Sequence, residues 1–164
     1  MTSTELLVFP GGAPGLMIAP EVATTKMTAH LEETLMPTRK RLFVSFDFDN
    51  DEILKTFLIG QSKHADTPFD VADASIKEHL TGDWQDKVRG RISRADVVCV
   101  LCGTRTHTAN GVSIEYAIAK QLGKPLFLLK GYRDVDCTRP KSAENEKMYN
   151  WTWENLKTLI HGGR

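Results

Sequence analysis

The chain has 164 residues, 41% of them hydrophobic, and carries 21 basic against 21 acidic side chains for a formal net charge of zero. These values suit one domain with a single hydrophobic core. They exclude the strong basic field behind non-specific nucleic-acid binding, and no apolar run approaches the roughly 20 residues of a membrane-spanning helix, so neither nucleic acid nor membrane is expected as a partner.

Residues 1–39 read as an N-terminal extension to a domain covering 40–164. The run "LLVF" follows Glu5 and lacks the basic opening of a secretory leader, so a cytoplasmic location is expected. "FPGGAPG" is turn-rich, and "APEVATTKMTAHLEETLMP" reads as a short helix stopped by Pro37. Two readings of this segment stay open: an arm of no particular role, as from a start codon upstream of Met36, and a contact arm for self-assembly.

From Lys40 the pattern turns regular. "RLFVSF" predicts a strand, and "NDEILKTFLIGQ" a helix whose Ile53, Leu54, Phe57 and Leu58 recur at helical spacing behind acidic residues suited to its N-terminus. "PFDVAD" predicts a second strand. "ASIKEHLTGDWQDKVRGRISRA" predicts a helix opened by a capping box from Ser75 to Glu78, with Trp84, Val88 and Ile92 along one face. "DVVCVLC" is apolar throughout, as a strand covered on both sides should be. Cys99 and Cys102 spell CxxC inside it, but an odd offset along a strand sends them to opposite faces, which favours buried thiols over a metal or redox pair. With Cys137 the thiols are odd in number, which argues against a disulfide framework. A helix over "NGVSIEYAIAKQLGKP", a fourth strand "KPLFLL" and a closing helix "NWTWENLKTLI" complete the set. "GYRDVDCTRPKSAENEKMY" is polar and turn-rich, and is either a loop or the host of a fifth short strand. Strand and helix alternate, so the expected class is α/β, an open parallel sheet of four to five strands with helices on both faces.

One carboxylate stands out. At about 100° per residue, Val112, Ile114, Tyr116, Ile118, Ala119 and Leu122 sweep one apolar arc of their helix, and Glu115 falls near its centre. Open parallel sheets bind ligands beyond the carboxyl ends of their strands, where strand order reverses. Ser45, Asp47 and Asp49 would lie there after the first strand, Asp73 and Ser75 after the second, and Gly103, Thr104, Thr106, His107 and Asn110 after the third. Glu115 would sit close to the same rim, where helix N-termini also favour phosphate. A glutamate buried there pairs with a cation, is held protonated, or faces a ligand that develops positive charge. Cleavage of an N-glycosidic bond meets the last condition, because the departing base leaves an oxocarbenium-like sugar. An ion pair from Glu115 to Lys77, Arg91 or Arg105 stays open beside this, as does a plain solvated role for His107.

Two other motifs fail. "DFDNDE" alternates Asp47, Asp49 and Asp51 as a calcium loop does, but Glu52 stands where glycine is required and Leu58 where the terminal carboxylate belongs. Its acids are expected to cap the next helix, and no metal is expected. Gly11, Gly12 and Gly15 are not followed by the Gly-Lys-Ser/Thr of a phosphate loop.

"RLFVSFDFDND", then "FDVADASIKEHLTGDWQDKVRGRISRADVVCVLCGTRTHTANGVSIEYAIAKQLGKPLFLL", then "NWTWENL" resemble, over about residues 40 to 160, the TIR-like domain in the signalling component of bacterial Thoeris antiphage defence. The resemblance implies a flavodoxin-like TIR fold, cleavage of NAD, and formation of a cyclic ADP-ribose-type messenger that activates a separate effector. It makes NAD the substrate with no further cofactor, and implies self-association, since sites of this type are often completed by a neighbouring subunit. It assigns Glu115 as the catalytic carboxylate and Phe46, Asp73, Ser75, Thr104, Thr106, His107 and Asn110 to the pocket; His107 is expected to join Glu115 as a catalytic residue, with Ser45 or His107 orienting ribose hydroxyls. Gly111 departs from the pattern, because relatives often carry an aromatic residue there, and this leaves the product open. Two further readings compete. "NGVSIEYAIAKQLGKP" is similar to nucleoside deoxyribosyltransferases, within that one helix only, and a TIR-like interaction module would need no chemistry at all.

Overall fold

The computed structural model describes residues 38–76 and 82–164, and Thr38–Arg164 forms one compact unit. The expected helix ahead of Pro37 and the Glu78 end of the expected capping box lie outside the described residues. Five strands, β1 (Lys40–Ser45), β2 (Phe69–Ala74), β3 (Val97–Cys102), β4 (Leu126–Lys130) and β5 (Met148–Asn150), form a parallel sheet in the order β2-β1-β3-β4-β5. Among the described residues four α-helices accompany it: α1 (Glu52–Ser62), α2 (Trp84–Ser93), α3 (Asn110–Gln121) and α4 (Trp153–Ile160). None of them is long and apolar enough to cross a membrane.

The two-residue period of the strands sorts the core into two layers. Leu42, Val44, Cys99, Leu101, Phe127 and Leu129 face α1 and α4, whereas Phe43, Val98, Val100, Cys102 and Leu128 face α2 and α3. The CxxC thiols therefore do point to opposite faces, both fully buried, and burial raises both, Cys102 to about 12. On α1 only Leu54 and Leu58 reach the core, each contributing about 2 kcal/mol by burial. Ile53 and Phe57, expected beside them, are 50% and 58% exposed, because a helix resting on a flat sheet buries a narrower stripe than its full apolar arc.

Two boundaries differ from expectation. The polar segment does end in a strand, β5, and this strand takes Asn150 away from the closing helix; that helix begins at Trp153, where Thr152 Oγ1 accepts the Asn155 N–H at 3.1 Å. The helix expected from Ser75 is not formed at Ser75 and Ile76, and α2 begins at Trp84 directly after a turn at Gly82 and Asp83. The hydroxyl of Ser75 is engaged in the site described next.

Candidate active site

Strand order reverses between β1 and β3, which opens a crevice at their carboxyl ends. β1 ends at Ser45, and the Ser75 N–H, one residue past β2, donates to Val44 O at 2.8 Å, so both serines reach this edge. α3 rises from the same edge and turns Glu115, 1% exposed, back toward them. The hydroxyls of Ser45 and Ser75 each donate to Glu115 Oε2 at 2.5 Å. Oε2 has the two lone pairs needed to accept both donors. Ser75 Oγ also accepts the Phe46 N–H at 3.0 Å, so one hydroxyl ties the ends of β1 and β2 to α3.

A cavity of about 430 Å³ opens over this group. Its apolar side comes from Phe46, Phe48, Ile76, Trp84 and Val112, with the rings of Phe46 and Phe48 stacked at 5.9 Å and Lys55 Nζ 5.2 Å from the Phe46 centroid. Its polar side comes from Asp47, Asp49, Asn50, Thr108 and Asn110. Asp47 folds the loop between β1 and α1: its carboxylate accepts the Asp49 N–H at 3.2 Å and Asn50 Nδ2 at 2.7 Å, and its carbonyl accepts the Asp51 N–H at 2.8 Å. An enclosed carboxylate, apolar walls and hydroxyl-binding groups suit a sugar bearing a flat base.

The family model for the Thoeris protein ThsB, TIR-like domain, matches residues 43–133. The chain belongs to this family. The matched span runs from β1 past β4 and holds Ser45, Ser75 and Glu115. No curated protein matches the chain. The ThsB-type domain thus carries its cavity inside the portion that defines the family, while β5 and α4 lie beyond it.

Of the residues expected in the pocket, Phe46, Asp47, Asp49, Ser75, Asn110 and Glu115 line the cavity, and Ser45 supports Glu115 from beneath it. Others are placed elsewhere. The His107 ring is exposed, with Nδ1 2.9 Å from Thr138 Oγ1, and Thr104 is exposed beside it, its carbonyl accepting the Thr138 hydroxyl at 3.3 Å. Thr106 is fully buried and its Oγ1 accepts the Gly103 N–H at 2.7 Å, which shapes the turn leading to α3. Asp73 pairs with Arg91 at 2.8 Å, so this arginine has a carboxylate partner of its own, Arg105 is exposed, and Lys77 lies outside the described residues.

The acids of "DFDNDE" do not cap α1 through their side chains. Asp51 occupies the N-cap position without a side-chain cap bond; its carboxylate, 2% exposed, lies against Gly103 and accepts the Tyr132 hydroxyl at 3.2 Å. Sequence reasoning missed Phe48, Asn50, Ile76, Trp84, Thr108 and Val112 as cavity residues. Phe48 is within reach of sequence reasoning, since it follows Phe46 at a spacing of two, whereas Trp84 reads as one of three core positions on a helix face with Val88 and Ile92.

Proposed function

We propose that this domain cleaves the bond between nicotinamide and ribose in NAD and rejoins the ADP-ribose into a cyclic signalling nucleotide, within antiphage defence. The observation that carries the reading is Glu115, buried at the switch point of the sheet and held by two serine hydroxyls against a cavity with both aromatic and polar walls. Nicotinamide leaves with the electron pair of the C–N bond, positive charge develops on the ribose, and the Glu115 carboxylate stabilises or traps it. A nucleophile elsewhere on the same ADP-ribose then forms the new bond and loses its proton, provided the enclosed site holds the two ends near attack distance and excludes water. On this reading Asp47, Asp49 and Asn110, which line the cavity, take ribose hydroxyls. The same reading makes NAD the substrate with no separate cofactor, residues 1–39 an extension to the domain, the cytoplasm its location, and a separate effector the receiver of the product. Self-association belongs to it as well and is read directly by light scattering.

The test is mass spectrometry of nucleotides in filtered lysates of phage-challenged cells expressing the chain or its Glu115→Gln form, repeated with purified protein offered NAD and free nucleosides in parallel. Loss of an ADP-ribose-type product by about 10³-fold or more is expected in the variant. Identical lysates from folded, abundant proteins would leave the interaction module as the better account, and turnover of nucleosides instead of NAD would favour the deoxyribosyltransferase reading.

A further inference from the structure

The three tryptophans of this chain meet their surroundings differently. Trp151 Nε1 donates to Gln61 Oε1 at 2.9 Å, and Trp153 stands half-buried near the His64 ring. Trp84, in the first turn of α2, is 5% exposed, and its Nε1 has no acceptor within hydrogen-bond distance among the described residues. Indole carries a donor and no acceptor, so its N–H has one possible use, and a buried donor without a partner is a standing cost to the fold. Phenylalanine would fill the same core position, above Val88 and Ile92, without that cost. Packing therefore gives the indole N–H no role, whatever the ring's volume contributes.

Its position gives it one. Trp84 lines the Glu115 cavity, together with Gly111 and Ala109, which have little or no side chain to fill the space. We infer that Trp84 is a substrate-contacting residue whose indole N–H donates to an oxygen acceptor of the nucleotide bound over Glu115. This rests on the proposed reading of the cavity and adds a division of labour to it. Glu115 meets the bond that breaks. Trp84 meets a part of the substrate whose charge does not change, so its bond is as strong in the bound substrate as in the transition state, and it lowers KM without raising kcat.

The test measures NAD binding by calorimetry to the Glu115→Gln protein, which binds without turnover, and to the same protein with position 84 changed. Trp84→Phe removes the donor and some volume; 3-benzothienylalanine at position 84 removes the donor alone, with sulfur in place of N–H. Both should weaken NAD binding about five- to tenfold. In the active protein KM should rise by a similar factor with kcat within about twofold. The benzothienyl variant without ligand should melt no lower than its parent, while the rise in Tm on adding NAD shrinks. Unchanged NAD affinity in the benzothienyl variant overturns the inference, and so does a drop in its ligand-free Tm with unchanged affinity, which would give the N–H a structural partner. A parent that neither binds NAD nor, with Glu115 intact, turns it over overturns the functional reading and this inference with it; failure of the inference alone leaves the parent's binding intact.

Discussion

Of the carboxylates buried at this end of the sheet, the two most deeply enclosed differ in what surrounds them. Glu115 and Asp51 are 1% and 2% exposed. Glu115 takes two serine hydroxyls on one oxygen and borders a cavity of about 430 Å³. Asp51 takes one tyrosine hydroxyl, its Oδ2 has no hydrogen-bond partner among the described residues, and the Cα of Gly103 lies directly against it. It does not line the cavity. Burial of a charged group is thus not a mark of function by itself. What separates the two is the supply of donors and whether the group faces a space that another molecule can enter.

The seal over Asp51 is the easiest part of this contrast to break. A Cβ added to Gly103 would lie 2.2 Å from both carboxylate oxygens of Asp51, which has no solvent to retreat into. Gly103→Ala is expected to cost about 3 kcal/mol and lower Tm by roughly 10 °C. Adding Asp51→Ala should recover much of this, a coupling that a double-mutant cycle in urea measures. A single variant that melts within a degree or two of the parent would mean that Asp51 is not enclosed.

The two serines sharpen the Glu115 side. Ser75→Ala removes a donor to the carboxylate and also the acceptor of the buried Phe46 N–H, so it should lower stability by about 1–3 kcal/mol and NAD turnover by about 10²-fold. Ser45 gives only the donor, and Ser45→Ala should cost about 1 kcal/mol and roughly tenfold in turnover. Urea unfolding and NAD consumption test the order. A Ser45 variant more damaged than the Ser75 one would contradict the role assigned to the Phe46 contact.

The contrast also marks how far the sequence was legible. The inward turn of Glu115 could be read, because helical period places it among Val112, Ile118 and Ala119, and those neighbours are buried. Ser45 and Ser75 could be placed at the rim, because strand ends follow from apolar runs. That both hydroxyls meet one oxygen could not be read, since that depends on the register between β1 and β2 and on the rotation of α3. Asp51 was misjudged for a related reason. Acidic residues ahead of a helix are ordinarily caps, and only the approach of Gly103 from β3, some 50 residues away in sequence, turns this one inward. His107 and Thr104 are expected at the rim because they follow the third strand, and in the pocket by the family resemblance, yet the turn at Thr106–Thr108 directs them toward Thr138. Local pattern fixed which elements form; contacts between distant segments decided which polar groups share a site.

The smallest expected effect separates the carboxylates by charge alone. Burial holds the Asp51 carboxyl above the ordinary carboxylate range, with the Tyr132 hydroxyl opposing the shift and the nearby Asp47 reinforcing it. The folded chain therefore binds this proton more tightly than the unfolded chain does. Its contribution to stability is fully present below the unfolded value of about 3.9 and is lost as pH rises through the raised folded value. Asp51→Asn keeps an oxygen for Tyr132 but cannot titrate. Measured by thermal melts at increasing pH, the variant's Tm relative to the parent should climb through that window and level off above it, while NAD turnover stays close to the parent's. A Tm difference that does not change with pH would place Asp51 in contact with water or a cation. A loss of turnover matching that of Glu115→Gln would make the two carboxylates parts of one site.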